Sequence, residues 1–315
     1  MVGRSPGPAH VNPALGVSLK ILSALAFTLM AASIKLASET FPTGQLIFFR
    51  SAFALVPLLA WLAVTDTVVN AVRTHNVKGH LLRSIIGATG MVLGFSALAY
   101  LPLTEAVAIG YAAPLIVVVL AALLLRETVR AYRWSAVGVG FVGVLVMLSP
   151  RLGSEALAEG ASVGAIFGIC AAFCTAGATI QVRRLTATER TGAIVFYFTA
   201  VTTLIGLSTI FFGWVMPTPG ALAMLIGIGI LGGIGQILLT ESYRYADASL
   251  VAPFEYTTMI WATLLGWFLF GQWPQAAVIA GAVLVTASGI FVIYRERKLG
   301  LERRKEVEMS SQRPG

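Results

Sequence analysis

Long apolar stretches alternate with short polar segments along this chain of 315 residues. A helix needs about 20 mainly apolar residues to cross the hydrocarbon core of a bilayer. Ten stretches come close to that length, at 14–36, 43–64, 80–99, 103–125, 132–149, 162–182, 192–213, 221–243, 248–270 and 275–294. None alternates apolar and polar positions as the strands of a porin do. The pattern therefore predicts an all-α membrane protein with ten transmembrane helices.

The two halves of the chain repeat each other at a nearly constant offset. Aromatic, small and glycine positions recur 145 or 146 residues apart, and the matched pairs include Phe27 with Phe173, Ile34 with Ile180, Gly87 with Gly232, Gly90 with Gly235, Tyr100 with Tyr245, Tyr111 with Tyr256 and Gly143 with Gly289. An offset held over five spans favours duplication over chance recurrence. We therefore predict a first five-helix repeat at 14–150 and a second at 162–295, joined by an external linker at 151–161.

Lysine and arginine partition unequally between the loops, and cytoplasmic loops hold the excess of both. With the amino terminus inside, the inner segments hold 18 of the 22 basic residues, while Lys35 and Arg151 lie outside. The basic run RETVRAYRW at 126–134 corresponds to the uncharged run GQWPQAAVI at 271–279. Equivalent loops therefore lie on opposite sides, which predicts two inverted repeats. Both termini are expected in the cytoplasm, as a disordered tail at 1–13 and a basic tail at 296–315 against membrane lipid.

Composition narrows the class further. With 57% hydrophobic and 11% charged residues, the chain has too little polar surface for a soluble globule. Its net charge of +8 is spread over the inner loops, so topology explains it and no nucleic-acid partner is predicted. The two cysteines, Cys170 and Cys174, lie one helical turn apart, and the three histidines lie in a tail or an inner loop. We predict no catalytic residues, no metal site, no cofactor and no enzymatic activity.

Several motifs resemble a known family. They are FPTGQLIFFRSA in the second stretch, YLPLTEAVAIGYAAPLIVVVLAALLLRETV in the fourth, RWSAVGVGFVGVLVML in the fifth, and YRYADASLVAPFEYTTMIWATLLGWFLFGQWP with GAVLVTASGIFVI in the second half. Together they resemble two copies of the EamA domain of the drug/metabolite transporter superfamily. The resemblance implies a ten-span carrier of small metabolites with a central cavity between the repeats. The FFR and PFEY forms are most similar to the branch that includes riboflavin and S-adenosylmethionine carriers.

Four of the charged side chains within or beside the apolar stretches stand out, because a charge retained there costs roughly 2.5 to 3.5 kcal/mol. They are Arg50, Glu105, Glu241 and Glu255. Arg50 can bind an anionic group, snorkel to headgroups or bond a neighbouring carbonyl, and we expect the anchoring role. Glu105 and Glu241 lie near the interfaces, and Glu241 can pair with Arg244. Glu255 is the deepest carboxylate, and we expect it to face the cavity and to take up a proton near neutrality unless a cation lies close.

Aromatic and amide side chains accompany Glu255. Tyr256 and Trp261 offer flat surfaces for a planar ligand, and Tyr111 is the counterpart of Tyr256 in the first repeat. Pro114 and Pro253 loosen the helices beside these tyrosines, and broken helices at matching places indicate a site near the bilayer midplane. Gln236 is the deepest amide in an apolar stretch. Glycine pairs such as Gly229 and Gly233 predict close helix packing.

These observations predict a secondary transporter in the bacterial inner membrane. It moves a small organic metabolite by alternating access, driven by a proton gradient or by the gradient of the substrate itself. A non-transporting membrane sensor or an intramembrane enzyme is the alternative. The sequence leaves open the identity of the substrate, the direction of transport, the coupling ion, and whether the protein is a monomer or a homodimer.

Overall fold

A computed structural model describes residues 12–65, 72–124, 130–151, 161–185, 188–245 and 251–311. The helices are α1 Pro13–Ala37, α2 Thr43–Thr65, α3 Val77–Tyr100, α4 Leu103–Gly110, α5 Ala112–Leu124, α6 Ala131–Leu148, α7 Ala161–Leu185, α8 Thr191–Ser208, α9 Pro219–Tyr245, α10 Thr257–Phe270 and α11 Ala276–Ser311. Short 3-10 turns lie at Ser149–Arg151, Thr209–Phe211 and Ala252–Tyr256. Within these ranges the fold is all-helical and contains no strand.

The predicted spans are present in the described residues. Nine segments are long and apolar enough to cross a membrane, and α4 with α5 forms one of them. The tenth is shorter, because the 3-10 turn Ala252–Tyr256 precedes the 14-residue helix α10. Large apolar side chains such as Leu123, Ile166 and Phe268 project outward from the bundle. An apolar outer surface of this kind is solvated by lipid, so the chain is an all-α, multi-pass membrane protein.

The spans pack in a pattern that is preserved when the two halves are exchanged. Helix α9 is the counterpart of α3, and α1 is the counterpart of α7. Helix α3 packs on α7, and in the same way α9 packs on α1. Helix α2 contacts α9 as α8 contacts α3, while the counterparts α2 and α8 touch each other, as do α6 and α11. Each span corresponds to the span five places later in the chain. Because five is odd, counterpart helices cross the bilayer in opposite directions. The fold is therefore two inverted five-helix repeats, as the sequence predicts.

Glycines let several of these helices approach closely. An added Cβ at Gly229 would lie 2.6 Å from the carbonyl oxygen of Phe49, and one at Gly233 would lie 2.9 Å from that of Ala54. Both positions therefore hold α9 against α2 at backbone distance. The predicted pairing of small residues is confirmed for this contact. At Gly94 the nearest atom to an added Cβ is 3.8 Å away, which is ordinary contact.

Some boundaries differ from the sequence expectation. Helix α11 continues without interruption from the tenth span to Ser311. Span four is divided at Tyr111, because Pro114 cannot donate a hydrogen bond to the carbonyl of Gly110. His80, expected in an inner loop, lies in the first turn of α3 and is buried. Most of the predicted terminal tail and of the linker, at 1–11 and 152–160, falls outside the described residues.

A polar contact joins the first turn of α3 to the loop between α7 and α8. The Glu189 carboxylate lies 3.4 Å from Nε2 of His80 and accepts a hydrogen bond of 3.1 Å from the backbone nitrogen of His75. Desolvation alone would raise the pKa of Glu189, but hydrogen bonds from Thr74 and the backbone of His75, with the nearby ring of His80, lower it on balance. A carboxylate with a lowered pKa in the folded state stabilises the protein above its unfolded pKa, and this contribution is lost as the pH falls through the folded value.

We expect Glu189→Gln to lower the melting temperature at pH 7.5 by about 2 to 4 °C, because the amide accepts these hydrogen bonds more weakly. The difference from the unmodified protein should shrink as the pH falls below about 4.3, the usual pKa of an unfolded glutamate, and vanish below the lowered folded-state pKa, where the carboxyl group is protonated in both states. Thermal unfolding of both proteins in the same detergent, over a pH series downward from 7.5, checks this. Equal melting temperatures at pH 7.5 would contradict it.

Candidate functional site

The two broken helices meet at the contact between the repeats. Tyr111 lies at the break between α4 and α5, and its counterpart Tyr256 ends the 3-10 turn before α10. Their rings are 5.2 Å apart in an edge-to-face arrangement. Because the Thr258 hydroxyl donates to the carbonyl of Glu255 at 2.7 Å, it accepts the hydrogen bond from the Tyr111 hydroxyl. The breaks predicted at matching places are thus confirmed, and hydrogen bonds connect them.

A cavity of about 580 Å³ lies beside these breaks. Its lining includes Tyr111, Tyr256 and Glu255, and it extends to Arg133 at the start of α6 and to Thr175 and Thr179 on α7. The hydroxyl of Tyr256 reaches α11 at Gly289, where even a Cβ would overlap it. Both repeats contribute to the walls. The volume lies within the range of about 300 to 1,000 Å³ that is typical of small-molecule sites.

Glu255 forms an ion pair with Lys20, which lies in the second turn of α1. The Lys20 side chain is 3% exposed, whereas that of Glu255 is 49% exposed and lines the cavity. Lys20 is not among the candidates predicted from the sequence. Its position within the first apolar stretch is the signal that could have identified it, because charges retained in spans are costly. A cation therefore lies beside Glu255, at the wall of the cavity.

A second, smaller cavity of about 150 Å³ lies between α2, α3, α7, α8 and α9. Arg50 and Gln236, both selected from the sequence, line it together with Arg83 and Phe198. Sequence reasoning placed Arg83 in an inner loop, but it lies in the second turn of α3, within a span. Within the described ranges, Nε of Arg50 has no hydrogen-bond acceptor, so the expected anchoring through a carbonyl has no counterpart at that atom.

The remaining candidates do not line either cavity. Glu105 is buried in the first turn of α4. The ammonium group of Lys35 donates to the carbonyls of Leu98 and Leu101 at 3.0 and 2.6 Å. Trp261 lies on α10, and its indole nitrogen is buried without a hydrogen-bond acceptor in the described part of the chain. Glu241 is half-buried near the end of α9, and its predicted pairing with Arg244 involves a side chain outside the described set.

A cavity enclosed between two inverted repeats in an apolar bundle is typical of a membrane transporter. The EamA-like transporter family matches the chain twice, at residues 14–149 and 162–295. The chain belongs to the EamA-like transporter family, as the resemblance implied. Members of this family are transporters and not enzymes.

Several transporters are similar over most of their length. The pseudopaline exporter of Pseudomonas aeruginosa is 34% identical over 277 residues, which cover 87% of this chain and 94% of the exporter. The S-adenosylmethionine uptake transporter of Rickettsia prowazekii is 28% identical, covering 81% of this chain and 84% of that protein. The riboflavin transporter of Vibrio cholerae is also 28% identical, covering 91% and 95%. These names agree with the predicted branch.

A solved crystal structure shows the same fold. It matches with a TM-score of 0.60 and covers 90% of this chain and 98% of its own. At 20% identity it supports the architecture alone. The fold, the family and the relatives together establish a multi-pass membrane transporter.

Proposed function

We propose that this protein is a secondary carrier that moves a small organic metabolite across the bacterial cell membrane by alternating access. The supporting observation is the Lys20–Glu255 ion pair at the wall of the cavity between the two repeats. It stands next to helix breaks at counterpart positions, where carriers built from inverted repeats bind their substrates. Tyr111 and Tyr256 contribute aromatic surface to the same walls.

The ion pair has a role in coupling. A buried ammonium group is costly without a counter-ion, so the Glu255 carboxylate stabilises Lys20 while the two side chains remain together. A proton or a cationic group of the substrate that reaches the exposed part of Glu255 competes with Lys20 for the carboxylate. Binding therefore loosens a contact between α1 and the break before α10. The gradient of the proton, or of the substrate, drives the cycle.

The size and chemistry of the cavity indicate the class of substrate. About 580 Å³ accommodates an organic molecule of metabolite size. The walls offer one acidic side chain, two basic side chains, aromatic rings and the hydroxyls of Thr175 and Thr179. A polar metabolite that carries a charged group and a flat apolar part fits these features. The relatives named for pseudopaline, S-adenosylmethionine and riboflavin support a cargo of this size class.

Reconstitution into liposomes tests the proposal. Solutes that raise the melting temperature of the purified protein are selected first, because a ligand of the folded state stabilises it by mass action. Their flux is then measured with and without an imposed pH gradient. We expect a saturable flux well above that of protein-free liposomes. Binding without flux for every stabilising solute would favour a non-transporting sensor.

We also propose that both termini face the cytoplasm, as the distribution of basic residues indicates. The larger cavity would then lie in the cytoplasmic half, because its lining includes Lys20 near the start of α1 and Arg133 at the start of α6. Membrane lipid surrounds the bundle as its second partner. Monomer and homodimer both remain compatible with this arrangement.

Single-cysteine labelling in intact cells checks the orientation, in a background with Cys170 and Cys174 replaced. Thr188→Cys and Thr218→Cys place thiols at exposed positions in loops predicted to lie on opposite sides. An impermeant maleimide should label Thr218→Cys in intact cells and Thr188→Cys only after permeabilisation. Labelling of Thr188→Cys from outside would contradict the orientation.

A further inference from the structure

The smaller cavity brings two arginines together within the membrane bundle. Arg50 and Arg83 line the same space, and the described residues give no acceptor to Nε of either or to one terminal nitrogen of Arg83. Among the described residues that line this cavity there is no aspartate or glutamate. Two like charges in an apolar bundle repel each other, and unsatisfied guanidinium groups are costly there. Such a cavity favours an anion.

The walls hold the guanidinium of Arg83 in place. Its central carbon lies 3.6 Å from the centre of the Phe198 ring, a cation–π contact that fixes the plane of the group while leaving its edge available. Gly232 keeps the space beside Arg50 open, because an added Cβ would lie 3.4 Å from Nε of that arginine. Gln236 and Thr199 add neutral polar groups to the lining.

The volume limits what can bind. About 150 Å³ is well below the 300 Å³ at which typical small-molecule sites begin. It is sufficient for a carboxylate or phosphate group together with a few waters. Guanidinium groups bind both oxyanions with short, charge-assisted hydrogen bonds. A whole metabolite of the kind that fits the larger cavity is too large.

We propose that the cavity lined by Arg50, Arg83 and Gln236 is a binding site for one small oxyanion, a carboxylate or a phosphate. The anion neutralises the facing guanidinium groups and ties α2 to α3 and α9. It is either a free anion from solution or the anionic group of a transported molecule, and the chemistry of recognition is the same. Binding of the free anion needs no transport, so the site stands or fails independently of the proposed carrier function.

Thermal unfolding of the purified protein in nonionic detergent tests the site. Acetate or inorganic phosphate is titrated at constant ionic strength against the sulfonate MES, which is too bulky for the cavity. We expect a saturable rise in melting temperature of at least about 2 °C in the unmodified protein. Arg50→Gln and Arg83→Gln should each abolish the rise. Lys78→Gln, which removes an exposed cation from the same helix as Arg83, should retain it.

The outcomes separate cleanly. No rise with either anion, or an unchanged rise in both arginine variants, overturns the proposal. If neither arginine variant folds, Gln236→Leu is tested instead, because it keeps both charges. An anion concentration for half-saturation that rises several-fold in this variant supports the site. An unchanged concentration overturns it.

Flux measurements in liposomes distinguish the two sources of the anion. If added phosphate or acetate accelerates solute flux, the site binds a free anion. If it inhibits the flux, the site binds an anionic group of the solute, and either result supports the binding site.

Discussion

Glu255→Gln is expected to fold but to lose gradient-driven accumulation of solute in liposomes and to flatten the pH dependence of transport. The amide keeps the shape of the side chain but cannot bind a proton or attract a cation. It also leaves the ammonium group of Lys20 beside a neutral partner, at a position that is 3% exposed. We therefore expect a loss of about 1 to 3 kcal/mol in the free energy of unfolding, less than for a fully buried pair because Glu255 is half exposed.

A double variant separates structure from coupling. Lys20→Met with Glu255→Gln removes both charges, and neutral replacement of an ion pair in an apolar setting is often neutral or stabilising. This protein should recover most of the stability lost in Glu255→Gln yet remain unable to accumulate solute. Unfolding and flux, measured on the same preparations, check both statements. If the double variant transports at the unmodified rate with an unchanged pH profile, the ion pair is structural only.

Gly281→Ala is expected to destabilise the bundle strongly. Helices α6 and α11 touch at backbone level, and an added Cβ at Gly281 would lie 2.4 Å from the carbonyl oxygen of Gly143 and 2.9 Å from the nitrogen of Met147. Backbone atoms cannot move aside as a flexible side chain can, so the helices must separate. Overpacking of this kind costs about 1 to 3 kcal/mol or more. The separation would also weaken the packing of one repeat against the other, because α6 and α11 belong to different repeats.

Gly138 provides the matched control, because it lies on α6 and an added Cβ there meets nothing within 4 Å. Gly138→Ala should be neutral or stabilise by up to about 1 kcal/mol, since alanine favours the helix over glycine. The two substitutions therefore have opposite expected signs. Melting temperatures and the monodisperse fraction after purification check them. Equal behaviour of the two variants would show that α6 and α11 do not pack this closely.

The architecture could be predicted because a bilayer imposes a simple requirement. Each crossing needs an apolar helix of defined length, and positive loops report the side on which each helix ends. The offset that pairs Tyr111 with Tyr256 then identified the repeats, and both tyrosines lie at helix breaks. The break in span four lies one turn before the proline that causes it, because Pro114 leaves the carbonyl of Gly110 without a hydrogen-bond donor.

The membership of each cavity could not be predicted, because it depends on how helices rotate against one another. Lys20 and Glu255 are 235 residues apart, and their pairing arises from the packing of α1 against the turn before α10. The sequence predicts Arg83 in a loop, because a basic residue near the end of an apolar stretch can belong either to the loop or to the last turns of the span, and the sequence pattern is the same in both cases. Trp261, chosen for its aromatic surface, lies on α10 but lines neither cavity.

Alternating exposure of the cavity is the most direct test of the carrier account. Thr175→Cys, in a background with Cys170 and Cys174 replaced, places a thiol on the wall of the larger cavity. In oriented liposomes, with a solute that the protein binds, an impermeant maleimide applied from either side should label it. Leu145→Cys, whose side chain projects outward from the bundle, should react from neither side. Labelling of Thr175→Cys from one side only, with and without solute, would contradict alternating access.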